Sequence, residues 1–430
     1  MTTRRAFVRG LALTGAALPM FREDAFAQLL KAHAVAGSRT PREIAEDELY
    51  WAEIQRAFDA DRTMVNLNNG GISPTPSHVL EQMIRDLRFT NELPVHHMWS
   101  ILQPRMENTR RELAREFGCD PEEMAVVRNA SEANEIMIYG MDLKRGDEVI
   151  VTNQNYGRMI TTWKQREERE GIVVKEISFK VPPPSDQYIV DQFKAAITPR
   201  TRVIEVTHIT NLTGQVMPVR ELSRLAKQHG IELFVDGAHA FGHWPIKRDD
   251  IEADFYGTSL HKWLHAPIGA GFLYVRREKI PQLWPLMGAA HNQRADIRKY
   301  EEIGTHPQAN FNAVSAALAF SQGMGLDRKI ARLRYLRDRW AKRLLAESER
   351  VKVLTQLGPD KSGAICLVHV DGLDTVKLSG WLMEKHMIVN VAIVHPEFDG
   401  LRITPNVYTT LGEIDRFGDA MLSAIKKGIA

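Results

Sequence analysis

The run Ile231-Glu232-Leu233-Phe234-Val235 consists mainly of apolar, strand-forming residues and stops at Asp236-Gly237. A second run of this kind, Ala253-Asp254-Phe255-Tyr256-Gly257-Thr258, leads directly into Ser259-Leu260-His261-Lys262-Trp263. Both read as buried strands of an α/β sheet, and each delivers chemically capable residues where its strand ends. Ligands of such sheets bind beyond the carboxyl ends of the strands, which is where Asp236 and Lys262 fall.

An acid and an amine so placed meet the needs of pyridoxal phosphate (PLP). Its aldehyde requires an amine for a Schiff base, the role open to Lys262. Its pyridine nitrogen requires a buried carboxylate to stay protonated, the role open to Asp236. Taken singly, a lysine is usually solvated, and an aspartate at a strand end is usually a turn former or helix cap. The shared strand context is what sets this pair apart.

The segments Asp236-Gly237-Ala238-His239 and Ser259-Leu260-His261-Lys262 resemble those of the class V aminotransferases of PLP fold type I. That group includes cysteine desulfurases, kynureninase and isopenicillin N epimerase, and the chain most resembles the isopenicillin N epimerase-like branch. The similarity runs from Leu67 to Ile414. It implies an α/β fold with a large domain, built on a mostly parallel seven-stranded-type sheet between helices, and a smaller α+β domain. The implied boundaries are a leader at 1–27, an N-terminal segment at 28–66 packing with the small domain, a large PLP-binding domain at 67–310 and a small C-terminal domain at 311–430.

The same resemblance assigns further roles. Met124-Ala125-Val126-Val127 reads as a strand followed by a helix beginning near Ser131. A helix N-terminus after a strand attracts anions, and the family places Ala130 and Ser131 on the cofactor phosphate; by its residues alone this is an ordinary Ser cap. The strand 147–152 leads to Tyr156, either an aromatic stacked on the pyridine ring or core filler. The strand 202–208 leads to Asn211, which the resemblance puts near the cofactor's phenolic oxygen with His239 on the other side; His239 is otherwise a buried histidine satisfied by its neighbours. Ser259 and His261 become phosphate ligands. Thr305, in Glu302-Ile303-Gly304-Thr305-His306, reaches the phosphate of a neighbouring subunit, which implies a homodimer with a shared active site.

In the last quarter, 363–370 and 388–394 read as short strands, with a closing helix from Glu413. Arg402, in Arg402-Ile403-Thr404-Pro405-Asn406-Val407-Tyr408, matches the family arginine that forks onto a substrate carboxylate, a geometry lysine lacks. Asn68 and Asn69 join the substrate pocket, although Asn-Asn-Gly-Gly is also a common turn. His96 and His97 point in different directions on either a helix or a strand and have no further ligand at metal spacing, so pocket lining or a dimer contact is expected of them.

The expected chemistry is PLP-dependent reaction at an amino-bearing carbon, foremost aminotransferase chemistry, with Lys262 as base. An epimerase, a C–S or β-lyase and a non-catalytic PLP-binding protein are the alternatives. Racemisation would need a proton donor on the opposite face, and elimination a leaving group. The intact Asp236, Lys262 and Arg402 speak against a mere binder.

Thr3-Arg4-Arg5-Ala6-Phe7-Val8-Arg9 matches the twin-arginine pattern, Leu11 to Met20 forms a short apolar core and Ala25-Phe26-Ala27 resembles a signal-peptidase site. The core has about half the length a membrane span requires, so no anchor is expected to remain after processing. Export by the twin-arginine machinery to the periplasm suits an enzyme that must fold around its cofactor first. It adds a similarity to periplasmic members of this branch that tailor the siderophore pyoverdine. The chain has 430 residues, with 56 basic against 54 acidic ones. It therefore lacks the basic excess that nucleic-acid binding requires. Of the two cysteines, Cys366 lies in an apolar run and reads as a core thiol, and neither resembles the exposed loop cysteine of a desulfurase.

Overall fold

The computed structural model describes residues 23–429, so Arg4, Arg5 and the apolar stretch behind them lie outside the described residues. After a two-residue strand β1 (Val65–Asn66), six strands of the larger sheet run one way: β2 (Met124–Val127), β3 (Glu148–Thr152), β4 (Val173–Ile177), β5 (Thr201–Thr207), β6 (Glu232–Asp236) and β7 (Phe255–Ser259). The reversed strand β8 (Gly271–Val275) lies between β2 and β7, giving the order β2-β8-β7-β6-β5-β3-β4.

Successive strand residues point to opposite faces, and here both faces are apolar. Met124, Val126, Ile150, Ile204, Val206 and Val235 enter one core cluster. Their neighbours Ala125, Val127, Val149, Val151, Val203 and Phe234 enter another. Two-sided burial explains why these strands read as continuous apolar runs rather than as alternating ones. The carboxyl ends of β2, β5, β6 and β7 lie along one edge, so Val127, Thr207, Asp236 and Ser259 converge there.

The smaller domain has an antiparallel sheet in the order β12-β13-β10-β9. Its strands are β9 (Val351–Val353), β10 (Cys366–Val370), β12 (Val391–His395) and β13 (Phe398–Ile403), while β11 (Ile388–Val389) pairs in parallel with β1. The expected single strand 388–394 is thus two. Asn390 divides them, its side chain bonded to the Ile388 carbonyl at 3.2 Å. The closing helix Leu411–Lys427 starts earlier than expected, at a Thr410 cap that Glu413 completes as a capping box.

The cores divide the chain differently from the boundaries expected at 66 and 310. Leu29, Trp51 and Phe58 share a cluster with the large-domain sheet, and so do Phe311, Val314, Phe320 and Leu333. Helix Val314–Met324 packs on helices Ser77–Glu92 and Gln103–Phe117 of the large domain. Val65 and Leu67, by contrast, belong to the small-domain core with Leu336 and Trp340. The crossover therefore lies inside the long helix Leu326–Glu347. His97 stacks on Phe89 at 3.8 Å and bonds the Phe89 carbonyl, and neither it nor His96 lines the cavity described below.

Candidate active site

A cavity of about 340 Å3 opens at the carboxyl edge of the large sheet. Asp236, the last residue of β6, lies on its wall and is 2 % exposed. Its Oδ1 accepts the Ala238 N–H at 2.9 Å, and Asn134 also bonds to the side chain. The turn beyond it requires Gly237, because a Cβ there would come within 2.1 Å of the Tyr256 ring. Burial pushes the Asp236 carboxyl above the ordinary carboxylate range, against the pull of the Ala238 N–H and of Lys262. A cation held against it would restore its charge.

Lys262 lies in a loop fixed by Leu260 N–H to the Ala270 carbonyl at 2.9 Å and by Ser73 N–H to the His261 carbonyl at 3.1 Å. Its Nζ is 3.2 Å from His239 Nε2. Burial lowers its amine to about 8, with nearby Arg402 acting in the same direction and Asp236 opposing. His239 is held neutral by burial, with Lys262 and Arg402 adding to the effect.

The opposite end of the cavity is a helix N-terminus. Helix Ala130–Gly140 is capped by Asn129, whose Oδ1 accepts the Glu132 N–H at 2.9 Å. The cap is thus Asn129 rather than Ser131, and this leaves Ser131 free to face the cavity. Ala130 N–H donates to Ser259 Oγ at 2.9 Å, joining the helix start to the end of β7. His261 lines the same wall. Burial and then Lys262 lower its ring to about 4, and its Nδ1 is without a partner.

Tyr156, at the start of helix Gly157–Glu170, is 41 % exposed at the cavity, which removes the core-filler alternative. Arg402 projects from β13 across the domain junction. It donates from Nη1 to the Asn211 carbonyl and from Nη2 to Asn68 Oδ1, each at 2.9 Å, and its Nε has no partner. Burial lowers it to about 10, so it stays cationic at neutral pH.

Three expected residues do not line the cavity. Asn68 acts through Arg402. Asn69 has its amide fully committed, with Nδ2 donating to the Asn66 and Thr404 carbonyls and Oδ1 accepting from Tyr408, so it braces the two domains instead. Thr305 is exposed on the surface after Gly304, which turns at φ 74°. Asn129, Asn134, Thr207, Ala238, Gly70 and Gly71 line the cavity without having been anticipated. Thr207 was detectable: it ends β5 in register with Asp236. Asn134 lies one helical turn past Ala130 and so on the same face.

The residues present fit a polar, anionic, ring-bearing group. Asn134 Oδ1, Thr207 Oγ1, Asn211 Oδ1, His261 Nδ1 and Arg402 Nε are buried polar atoms without protein partners, all on cavity-lining residues. Groups of this kind are rarely left unmatched, since each costs about 1–3 kcal/mol. They are spread from the helix N-terminus to Arg402, with Asp236 and Lys262 between.

The aminotransferase class-V family model matches residues 65–395. Isopenicillin N epimerase of Streptomyces clavuligerus is 30% identical over 388 residues, covering 86% of this chain and 97% of that protein. A probable cysteine desulfurase of Halobacterium salinarum is 29% identical, covering 84% and 92%. Among solved structures, the cysteine desulfurase CsdA of Escherichia coli superposes with a TM-score of 0.76 at 21% identity, over 87% of this chain and 98% of that one. A C-DES structure with glycine covalently linked to the PLP cofactor gives 0.74 at 21% identity, over 85% and 98%. The large sheet is thus that of PLP fold type I, and PLP is the cofactor. The chain belongs to the aminotransferase class-V family.

Proposed function

We propose that this enzyme carries out aminotransferase chemistry on an amino acid or on the amine of a peptide-like metabolite, with Lys262 moving the proton of the amino-bearing carbon. The observation supporting this is that Lys262, Asp236 and Arg402 face one cavity, Asp236 and Arg402 buried and Lys262 half-buried, each suited to a different part of the reaction. Bound there, PLP supplies an electron sink conjugated to that carbon. Asp236, buried on the cavity wall, would hold the pyridine nitrogen and keep it protonated. The helix start at Ala130 and Ser131, with Ser259 and His261, would hold the phosphate, the Ala130 N–H tying Ser259 Oγ into the same cradle. Tyr156 would support the ring, and Asn211 and His239 would hold the phenolic oxygen; all three line the cavity. Lys262, with its amine lowered to about 8 by burial, gives up its proton more readily than a solvated lysine, which suits a nucleophile and base. Thr305 is exposed, which supports a role towards a second copy and makes a homodimer part of the proposal.

Transamination requires one base, and Lys262 is one. An epimerase or C–S lyase is the second reading, favoured by relatives named isopenicillin N epimerase and putative L-cysteine desulfhydrase. Sulfur mobilisation through a persulfide is disfavoured: neither Cys119 nor Cys366 lines the cavity, and burial pushes both thiols up to about 12. The twin-arginine segment supports export to the periplasm, where tailoring of a siderophore peptide is one such task.

The purified protein should be yellow, with a visible band absent from Lys262→Ala. Bleaching by an amino acid and recovery on adding a 2-keto acid would establish transamination. Deuterium uptake with inversion would establish epimerisation, and release of sulfide a lyase. A colourless protein that does not respond to PLP would refute the proposal.

A further inference from the structure

We infer that Trp263 is a positioning residue that locks His239 as its Nε2–H tautomer, making His239 a fixed hydrogen-bond donor towards Lys262 and whatever Lys262 carries. The inference rests on Lys262 being the cofactor-bearing amine. Trp263 Nε1 lies 3.3 Å from His239 Nδ1. An indole N–H can only donate, so His239 Nδ1 must accept. An imidazolium, which donates from both nitrogens, cannot form while this bond holds. The ring proton is therefore on Nε2, which points at Lys262 Nζ 3.2 Å away.

The lock is itself held from three sides. The His243 ring stacks on Trp263 with centroids 3.8 Å apart. His243 Nδ1 donates to the His239 carbonyl at 2.8 Å, and its Nε2 accepts the Ala364 N–H at 2.8 Å, tying the pair to the segment entering β10. Only glycine fits before Ala364, since a Cβ on Gly363 would meet His243 Nε2 at 2.1 Å. Fully buried Lys329 donates from its Nζ to the Trp263 carbonyl. These contacts fix the indole plane, and so the line along which it donates.

The consequence is a division of labour. With His239 confined to donating, Lys262 is left as the base. When Lys262 is a free amine, the Nε2–H favours its neutral form, acting in the same direction as the burial that already lowers its affinity for protons. The groups bearing on His239 are Lys262, Arg402, His243 and His261, and those bearing on Lys262 are Asp236 and Arg402.

Histidine-selective 15N labelling of the apoprotein, with His239 assigned through His239→Gln, reads the tautomer directly. The wild type should show Nε2–H from pH 6 to 9. Trp263→Phe keeps the stack on His243 but removes the donor, so His239 should shift to the Nδ1–H tautomer, whose Nε2 accepts from the Lys262 ammonium and stabilises it. The pH midpoint for PLP association with the apoprotein should then rise, slowing association at pH 7 several-fold. A purely structural role would lower Tm but leave the tautomer and midpoint unmoved. An Nδ1-protonated His239 in the wild type, or an unchanged tautomer or midpoint in Trp263→Phe, overturns the inference. The tautomer measurement needs no cofactor, so failure of the protein to bind PLP would count against the proposed function alone.

Discussion

Arg402→Lys separates substrate classes, and its effect can be worked out from the contacts. Arg402 is 8 % exposed and commits one N–H of each Nη to fixed partners, Asn211 and Asn68, leaving Nε and the remaining N–H groups for a ligand. A lysine brings the same charge but a compact ammonium, unable to satisfy both anchors and grip a carboxylate in two places. Hydrogen bonds to charged groups contribute about 1.5–3 kcal/mol each. Losing one therefore raises KM for a free amino acid between about tenfold and about 150-fold. The loss should appear mainly in KM, because the carboxylate is held alike before and during reaction. The visible spectrum should not change, since lysine keeps the positive charge that bears on Lys262. An amine whose carboxylate is already in an amide bond should be turned over almost as before. Steady-state kinetics on paired free and amidated substrates make the comparison. A change below about threefold for every free amino acid turned over would refute the carboxylate clamp and shift the proposal towards peptide or siderophore tailoring.

Asp236→Ala should retain some cofactor yet lose more than about tenfold in turnover, a barrier increase above roughly 1.4 kcal/mol; a smaller loss would mean the acid is misassigned. Glu205, buried beside Trp163, has its carboxyl pushed up to about 8 by burial, with Asp236 adding to the rise. The native state therefore keeps a proton that the unfolded state gives up above about 4.5, so stability is full below that pH and falls as pH rises towards 8. Glu205→Gln should flatten this decline, so that its Tm advantage over wild type grows between pH 5 and pH 8.5; a constant difference would show that Glu205 does not titrate there. Replacing Arg4 and Arg5 with lysine should leave full-length precursor in the cytoplasm on fractionation, and undiminished periplasmic protein would mean that a different signal is used.

How much was legible depended on whether a residue acts through its own strand or through a distant partner. Asp236 and Lys262 could be read because the strands carrying them are buried on both faces and so stand out in the sequence. Arg402 was legible only through its motif, since its strand pairs with β10 and β12 of a separate sheet. The role of Asn69 was misjudged because what decides it is Tyr408 and Thr404, more than 300 residues away. Asn129 was passed over for Ser131 because both are good caps, and only backbone geometry selects between them. The domain boundary failed for a similar reason: helix Leu326–Glu347 is continuous in sequence pattern, yet Leu333 and Leu336 enter different cores.

That helix also explains why the site can be both rigid and divided. Asp236, Lys262 and the helix start at Ala130 come from the large domain, whereas Arg402 comes from the small one. Such a cleft is precise only if the two halves cannot slide. Buried bonds prevent sliding at three places: Asn406 joins His265 and Ser73 at 3.0 and 2.7 Å, Thr404 accepts the Gly70 N–H at 3.0 Å, and Ala364 donates to His243. Each ends within a few residues of Lys262, His239 or Gly71. Because unmaking a buried polar pair costs more than making it returns, these links hold Arg402 at a set distance from Lys262. With Arg402 and Lys262 in their proposed roles, the domain junction would set the distance between a substrate's carboxylate and its reacting carbon. Changes on the small-domain side can then alter which amine is accepted while leaving the proton-transfer machinery of the large domain intact.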